Sequence, residues 1–182
     1  FFITLLWGWK AMKLNELSKR IADHLAVEEL EIKFDKIIDD SRLYPKKGFI
    51  VINEKYKANY IECAKSLAHE YRHVFQIYYA NLMNDELAKI WRDELWTAKN
   101  SNNININNAT EFTEYSLQMI EIDAEAFTVY YLKEYENIEY KINNIFTKEL
   151  VELYTKKYKD LFWKSMDNFD GLKSLFFLKN MI

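Results

Sequence analysis

Three histidines occur in the 182-residue chain, and two of them stand four residues apart in the run His69-Glu70-Tyr71-Arg72-His73. On a helix the pattern H-E-x-x-H sets two imidazoles one turn apart on one face, so both rings can reach a single metal ion. The carboxylate that follows the first histidine then stands where it can take a proton from a water at that ion. Composition alone predicts about 0.005 chance occurrences of the pattern in a chain of this make-up, so coincidence is a weak rival. The remaining histidine, His24, falls in a different segment.

A long helix over residues 57–81 is expected to carry the pair. On a wheel of about 100° per residue, Tyr60, Ala64, Leu67, Ala68, Tyr71, Val74, Phe75 and Tyr78 form one apolar arc. His69 and His73 lie about 170° from the centre of that arc, beside Glu62, Ser66 and Gln76. The expectation is therefore a pair that faces away from the packing stripe and lines a cleft. Cys63 falls on the apolar side and is assigned to the core. Arg72, inside the motif, is expected to pair with a neighbouring carboxylate.

A catalytic zinc takes three protein ligands and a water. The third ligand is sought in the later stretch MIEIDAEAFTVYYL at 119–132. Glu121 and Asp123 differ by about 200° on a helix, so only one of them faces the site. Glu121 shares its face with Ala124, Glu125 and Thr128, whereas Asp123 sits among Met119, Ala126, Phe127 and Tyr130. This helix is apolar nearly all round and is therefore buried, and a buried carboxylate needs a partner such as a metal. The wheel leaves both carboxylates open.

The elements that must position these groups follow from hydrophobic period. Leu14, Leu17, Ile21 and Leu25 mark a helix over 14–25. Residues 30–34 (LEIKF) alternate as a half-buried strand does, and 48–53 (GFIVIN) read as a second strand. The segment 39–47, with the only proline, Pro45, reads as a turn-rich connection. Helices are expected over 57–81, 85–98, 111–136, 146–163 and 170–180, with an asparagine-rich loop at 101–110. The fold class is α+β: a small N-terminal sheet packed on long helices, with a mostly helical C-terminal half.

Composition narrows the function classes. Only three glycines and one proline exclude collagen-like and turn-rich all-β chains, and 16% aromatic residues exclude disorder. A net charge of −3 argues against direct nucleic-acid binding. One cysteine allows no internal disulfide, and no apolar run reaches the length of a membrane span, so the expected location is the cytoplasm. The chain begins with Phe1, and Met12 opens MKLNELSKRIADHL. Residues 12–182 accordingly read as one domain and residues 1–11 as an extension outside it.

HEYRH followed by E-I-D-A-E-A-F resembles the zincin metallopeptidases whose third ligand is a glutamate. Among these it is most similar to the ImmA/IrrE-like group of bacteria, phages and mobile elements, whose second motif reads E-x-x-A-[N/D]-x-F-A. Glu121, Ala124 and Phe127 match; Glu125 stands where Asn or Asp is usual, Thr128 replaces the second alanine, and Asp85–Thr110 is inserted between the motifs. The resemblance implies a zincin-like fold with Zn²⁺ held by His69, His73 and Glu121. It further implies Glu70 as general base and a peptide or protein as substrate, such as a regulatory partner of a phage or mobile element. By the same likeness GFIVIN would be the sheet-edge strand that pairs an extended substrate. Tyr115, six residues before Glu121, is a candidate donor to the oxyanion. Glu125 is a candidate to orient a ligand histidine from behind. The alternative function is a module that binds zinc without hydrolysis and acts by interaction.

Overall fold

The computed structural model describes residues 2–36, 38, 40–100, 118–140, 142 and 148–153, with backbone only at 2–11 and 97–100. Its element order is helix α1 (Phe2–Leu25), strands β1 (Glu31–Asp35), β2 (Ser41–Tyr44) and β3 (Phe49–Asn53), then helices α2 (Tyr60–Leu82), α3 (Glu86–Asn100) and α4 (Met119–Glu136). Residues 148–153 are also helical. The architecture is mixed α+β with a small sheet and mostly helical content, as the period of the sequence predicts.

Three elements differ from expectation. Helix α1 runs back without a break to Phe2, so the 14–25 pattern marks only its second half, which carries the buried Leu14, Leu17, Ile21 and Leu25. Helix α2 starts at Tyr60, because the Asn59 side chain accepts hydrogen bonds from the Ile61 and Glu62 amides and residues 54–56 form a separate 3₁₀ turn. The third difference lies within the segment read as a connection, where Ser41–Tyr44 form strand β2. The Pro45–Lys47 turn after it ends at Gly48 (φ 71°), a left-handed position that glycine occupies without steric cost, and β3 begins one residue later.

The sheet order is β1-β3-β2, with β1 parallel and β2 antiparallel to β3. Strand β3 is thus central and not an edge, which corrects the substrate-pairing expectation for GFIVIN. The physical reason lies in its composition. Ile50, Val51 and Ile52 are all buried, and a run of apolar residues without alternation belongs inside a sheet covered on both faces. The strands with charged residues, EIKFD and SRLY, are the outer strands among the described residues, where charge discourages further pairing.

One core joins the layers. Leu14, Leu17, Ile21 and Leu25 of α1, Ile50 and Ile52 of β3, and Leu67, Tyr71 and Phe75 of α2 pack with Trp91 of α3 and Phe127, Tyr131 and Leu132 of α4. Tyr71 of α2 also ties α1 and the residue before β1 by its hydroxyl, 2.6 Å from Ser18 Oγ and accepting the Leu30 amide at 2.8 Å. Cys63 is fully buried in this core, as expected. His24 lies in an aromatic nest, its ring centroid 5.2 Å from Tyr131 and 4.8 Å from Tyr135, and burial lowers its pKa. No helix among the described residues is long and apolar enough to cross a membrane.

Helix α4 starts with a device invisible to local sequence reading. Its N-cap residue, Gln118, makes no side-chain cap bond. Instead Glu94 of α3 accepts from the Met119 amide (2.9 Å) and the Ile120 amide (2.8 Å), putting a carboxylate at the positive end of the helix. Glu94→Ala should therefore lower stability by about 1–2 kcal/mol, the range of a lost cap, in urea unfolding.

Candidate metal centre

Helix α2 presents His69 and His73 one turn apart, and α4 packs across them to deliver Glu121. His69 Nε2 lies 3.1 Å from His73 Nε2 and 3.3 Å from Glu121 Oε2, and His73 Nε2 lies 3.5 Å from Glu121 Oε1. These three residues each offer one ligand atom, and the atoms lie within 4.8 Å of one another. Donors about 2.0–2.1 Å from one ion at tetrahedral angles stand about 3.3 Å apart, so the separations fit a zinc-sized ion between them. Two imidazoles and a carboxylate are a donor set that catalytic zinc sites use, the fourth position being left to water or substrate.

The histidine-bearing face of α2 is half-buried, with α4 packed across it. Ser66, Glu70, Arg72 and Gln76 are all buried: Asp123 of α4 accepts from Arg72 and Gln76, and Ser41 of β2 donates to Glu70. The side chains of His69 and His73 keep 24% and 14% of their surface exposed in an otherwise packed seam. A helix apolar on every side, as α4 is, needs a partner on every side, and this face of α2 is one of them.

Asp123 takes a different role from Glu121. Its Oδ2 accepts from Arg72 Nε at 2.7 Å and its Oδ1 from Arg72 Nη2 at 3.0 Å, in a pair with both residues about 1% exposed. Arg72 thus finds a carboxylate, as expected, and it is the one that competes with Glu121 in the sequence. The guanidinium also lies 4.4 Å from the Phe75 ring centroid. A bidentate partner of this kind is strong and directional, and it leaves Asp123 turned away from the histidine pair.

The supporting contacts are mostly new. Glu125 Oε2 stands 3.5 Å from His69 Nδ1, and Tyr140 donates to Glu125 Oε1 at 3.0 Å, so Glu125 backs His69 as expected. Gln76 Oε1 is 2.7 Å from His73 Nδ1. Ser41 Oγ of β2 donates to Glu70 Oε1 at 2.7 Å. Gln76 was visible on the wheel beside the histidines, three residues after His73, but not as a partner. Ser41 and Tyr140 carried no signal, since only the folded chain brings β2 and residue 140 to the site. Tyr115 lies outside the described residues.

The electrostatics of the cluster are those of a charged triad. Burial alone would lower the His69 pKa, yet hydrogen bonds to Glu121 and Glu125 and the charges of Glu121 and Glu70 raise it well above the usual imidazole value. The His73 pKa is raised against burial by the Glu121 charge and hydrogen bond. Burial would raise the Glu121 pKa, and the two histidines instead pull it far below the ordinary carboxylate range. Without metal, the raised histidines stabilise the fold fully below about pH 6.5, and this is lost as pH rises through their folded values. The depressed Glu121 contributes above about pH 4.3, and its share is lost only in strong acid. Zinc needs neutral imidazoles, so its binding displaces those protons and strengthens as pH rises. Thermal midpoints of the metal-free chain should fall from pH 6 to 9, whereas those measured with excess zinc should rise over the lower part of that range.

Compared with models of known protein families, with curated protein sequences and with solved structures, the chain matches none. The functional reading therefore stands on the residues and their geometry.

Proposed function

We propose that the chain is a zinc-dependent metallopeptidase that hydrolyses peptide bonds with an activated water. The observation that carries this reading is the convergence of His69 Nε2, His73 Nε2 and Glu121 at 3.1–3.5 Å, with Glu70 on the same stretch of α2. His69, His73 and Glu121 would hold the ion. Zinc, when bound, supplies a Lewis acid that lowers the pKa of water toward about 7 and polarises a carbonyl.

Glu70 accepts the proton of the attacking water and passes it to the departing amine. It follows His69 directly on α2, its charge raises the pKa of both imidazoles, and Ser41 holds one of its oxygens. Burial of Glu70 to 6% exposure limits competing solvent contacts and keeps the carboxylate in one orientation. Strand β2 is an edge of the sheet among the described residues and carries Ser41, so an extended peptide pairing along β2 would pass the base. This moves the substrate edge from GFIVIN to SRLY. A regulatory protein partner of a phage or mobile element, the substrate class that the resemblance implies, would present such a peptide.

The test is cleavage of a peptide library by the full chain. Hydrolysis that a chelator stops and added zinc restores is the expected result. A chain that binds zinc and cleaves nothing would instead favour the non-hydrolytic interaction module.

A further inference from the structure

Gln76 is fully buried between α2 and α4, and the direction of its amide is set by its neighbours. Its Nε2 lies 2.8 Å from the Ile120 carbonyl oxygen and 2.6 Å from Asp123 Oδ2. Both partners only accept hydrogen bonds, and Asp123 is itself held by Arg72. Turning the amide over would press its oxygen against two acceptors, so the NH₂ group must face them. The amide oxygen then faces His73 Nδ1 at 2.7 Å, and because that oxygen cannot donate, Nδ1 must carry the hydrogen. A neutral imidazole has a single ring proton. His73 Nε2 is therefore left with its lone pair, at the nitrogen that stands 3.1 Å from His69 Nε2 and 3.5 Å from Glu121 Oε1.

We infer that Gln76 is a positioning residue, which locks His73 in the Nδ1–H tautomer and keeps the Nε2 lone pair aimed into the cluster. The lock works against intrinsic preference, since free histidine favours the Nε2–H form. Its anchor is remote: Arg72 orients Asp123, Asp123 and the Ile120 carbonyl orient Gln76, and Gln76 orients His73. The motif residue Arg72 thus acts on a ring of its own motif through a carboxylate on another helix. His69 is backed differently, by the Glu125 carboxylate at 3.5 Å, so the two rings are not equivalent. What the aimed lone pair binds rests on the metal-site reading above, whereas the lock itself does not.

Two measurements on the full chain separate these. Side-chain ¹⁵N spectra of the metal-free protein, at a pH where the ring is neutral, should show the His73 proton on Nδ1, and a shift to Nε2–H in Gln76→Met. Chelator competition should show zinc bound about 10- to 100-fold more weakly by Gln76→Met, the usual cost of losing a partner behind a ligand. An Nε2–H tautomer in the unaltered chain overturns the inference, and so does unchanged zinc affinity in folded Gln76→Met. Should Gln76→Met fail to fold, the tautomer of the unaltered chain decides alone. Absence of zinc binding in the unaltered chain would remove the metal site while the tautomer still tests the lock.

Discussion

Replacing Glu70 by glutamine should lower peptide hydrolysis by on the order of 10³-fold while the chain still holds one zinc ion. Glu70 is not among the three converging ligands, so the ion has no reason to leave. Glutamine keeps the length of the side chain, and its amide oxygen can still accept from Ser41 Oγ, so the buried position stays satisfied. What is lost is the ability to take and return a proton. Metal content and the rate of cleavage, measured on the same preparation, check the two halves of this result. Cleavage at the unaltered rate would remove Glu70 from the mechanism, and simultaneous loss of zinc would make it part of the binding site.

The second large effect belongs to Asp123. Asp123→Ala leaves the Arg72 guanidinium buried without the carboxylate that both its Nε and Nη2 now bond. Breaking a buried pair by removing one partner costs about 3–5 kcal/mol, which for a chain of this size lowers the thermal midpoint by about 10 °C. Gln76 also loses one acceptor, so part of the loss is shared by the His73 support. The double variant Arg72→Met, Asp123→Leu removes both charges and should regain most of the stability, because an apolar pair of similar volume suits the surrounding Phe75 and Phe127 rings. Glu121→Ala should give the contrasting phenotype, loss of zinc binding with the Arg72–Asp123 pair intact. Urea unfolding and zinc titration of the two alanine variants separate the structural carboxylate from the ligand. A loss below about 1 kcal/mol in Asp123→Ala would contradict the role assigned to the pair.

What could be read from the sequence divides along a physical line. His69, Glu70 and His73 were legible because one helix turn sets their relation, and no distant contact is needed to know it. The rivalry of Glu121 and Asp123 was legible too, as a difference of face, but the wheel could not say which face met α2. That answer depends on Arg72, a residue 51 positions away in sequence that claims Asp123 for itself. How deeply the histidine face is buried was not legible, because a wheel records the apolar stripe of one helix and not the needs of its neighbour. Glu70, Arg72 and Gln76 are polar, yet all three are buried with a specific partner, Asp123 of α4 for Arg72 and Gln76 and Ser41 of β2 for Glu70. Strand β2 escaped notice because SRLY is short and lacks alternation, and its extension is imposed by pairing with β3. The centrality of β3, by contrast, was available in its unbroken apolar run.

The central claim is that three side chains from two helices hold zinc, and metal analysis of the chain purified without added metal tests it most directly. The account predicts one zinc per chain. A folded chain that contains no stoichiometric zinc, and takes none up when zinc is supplied, would contradict it.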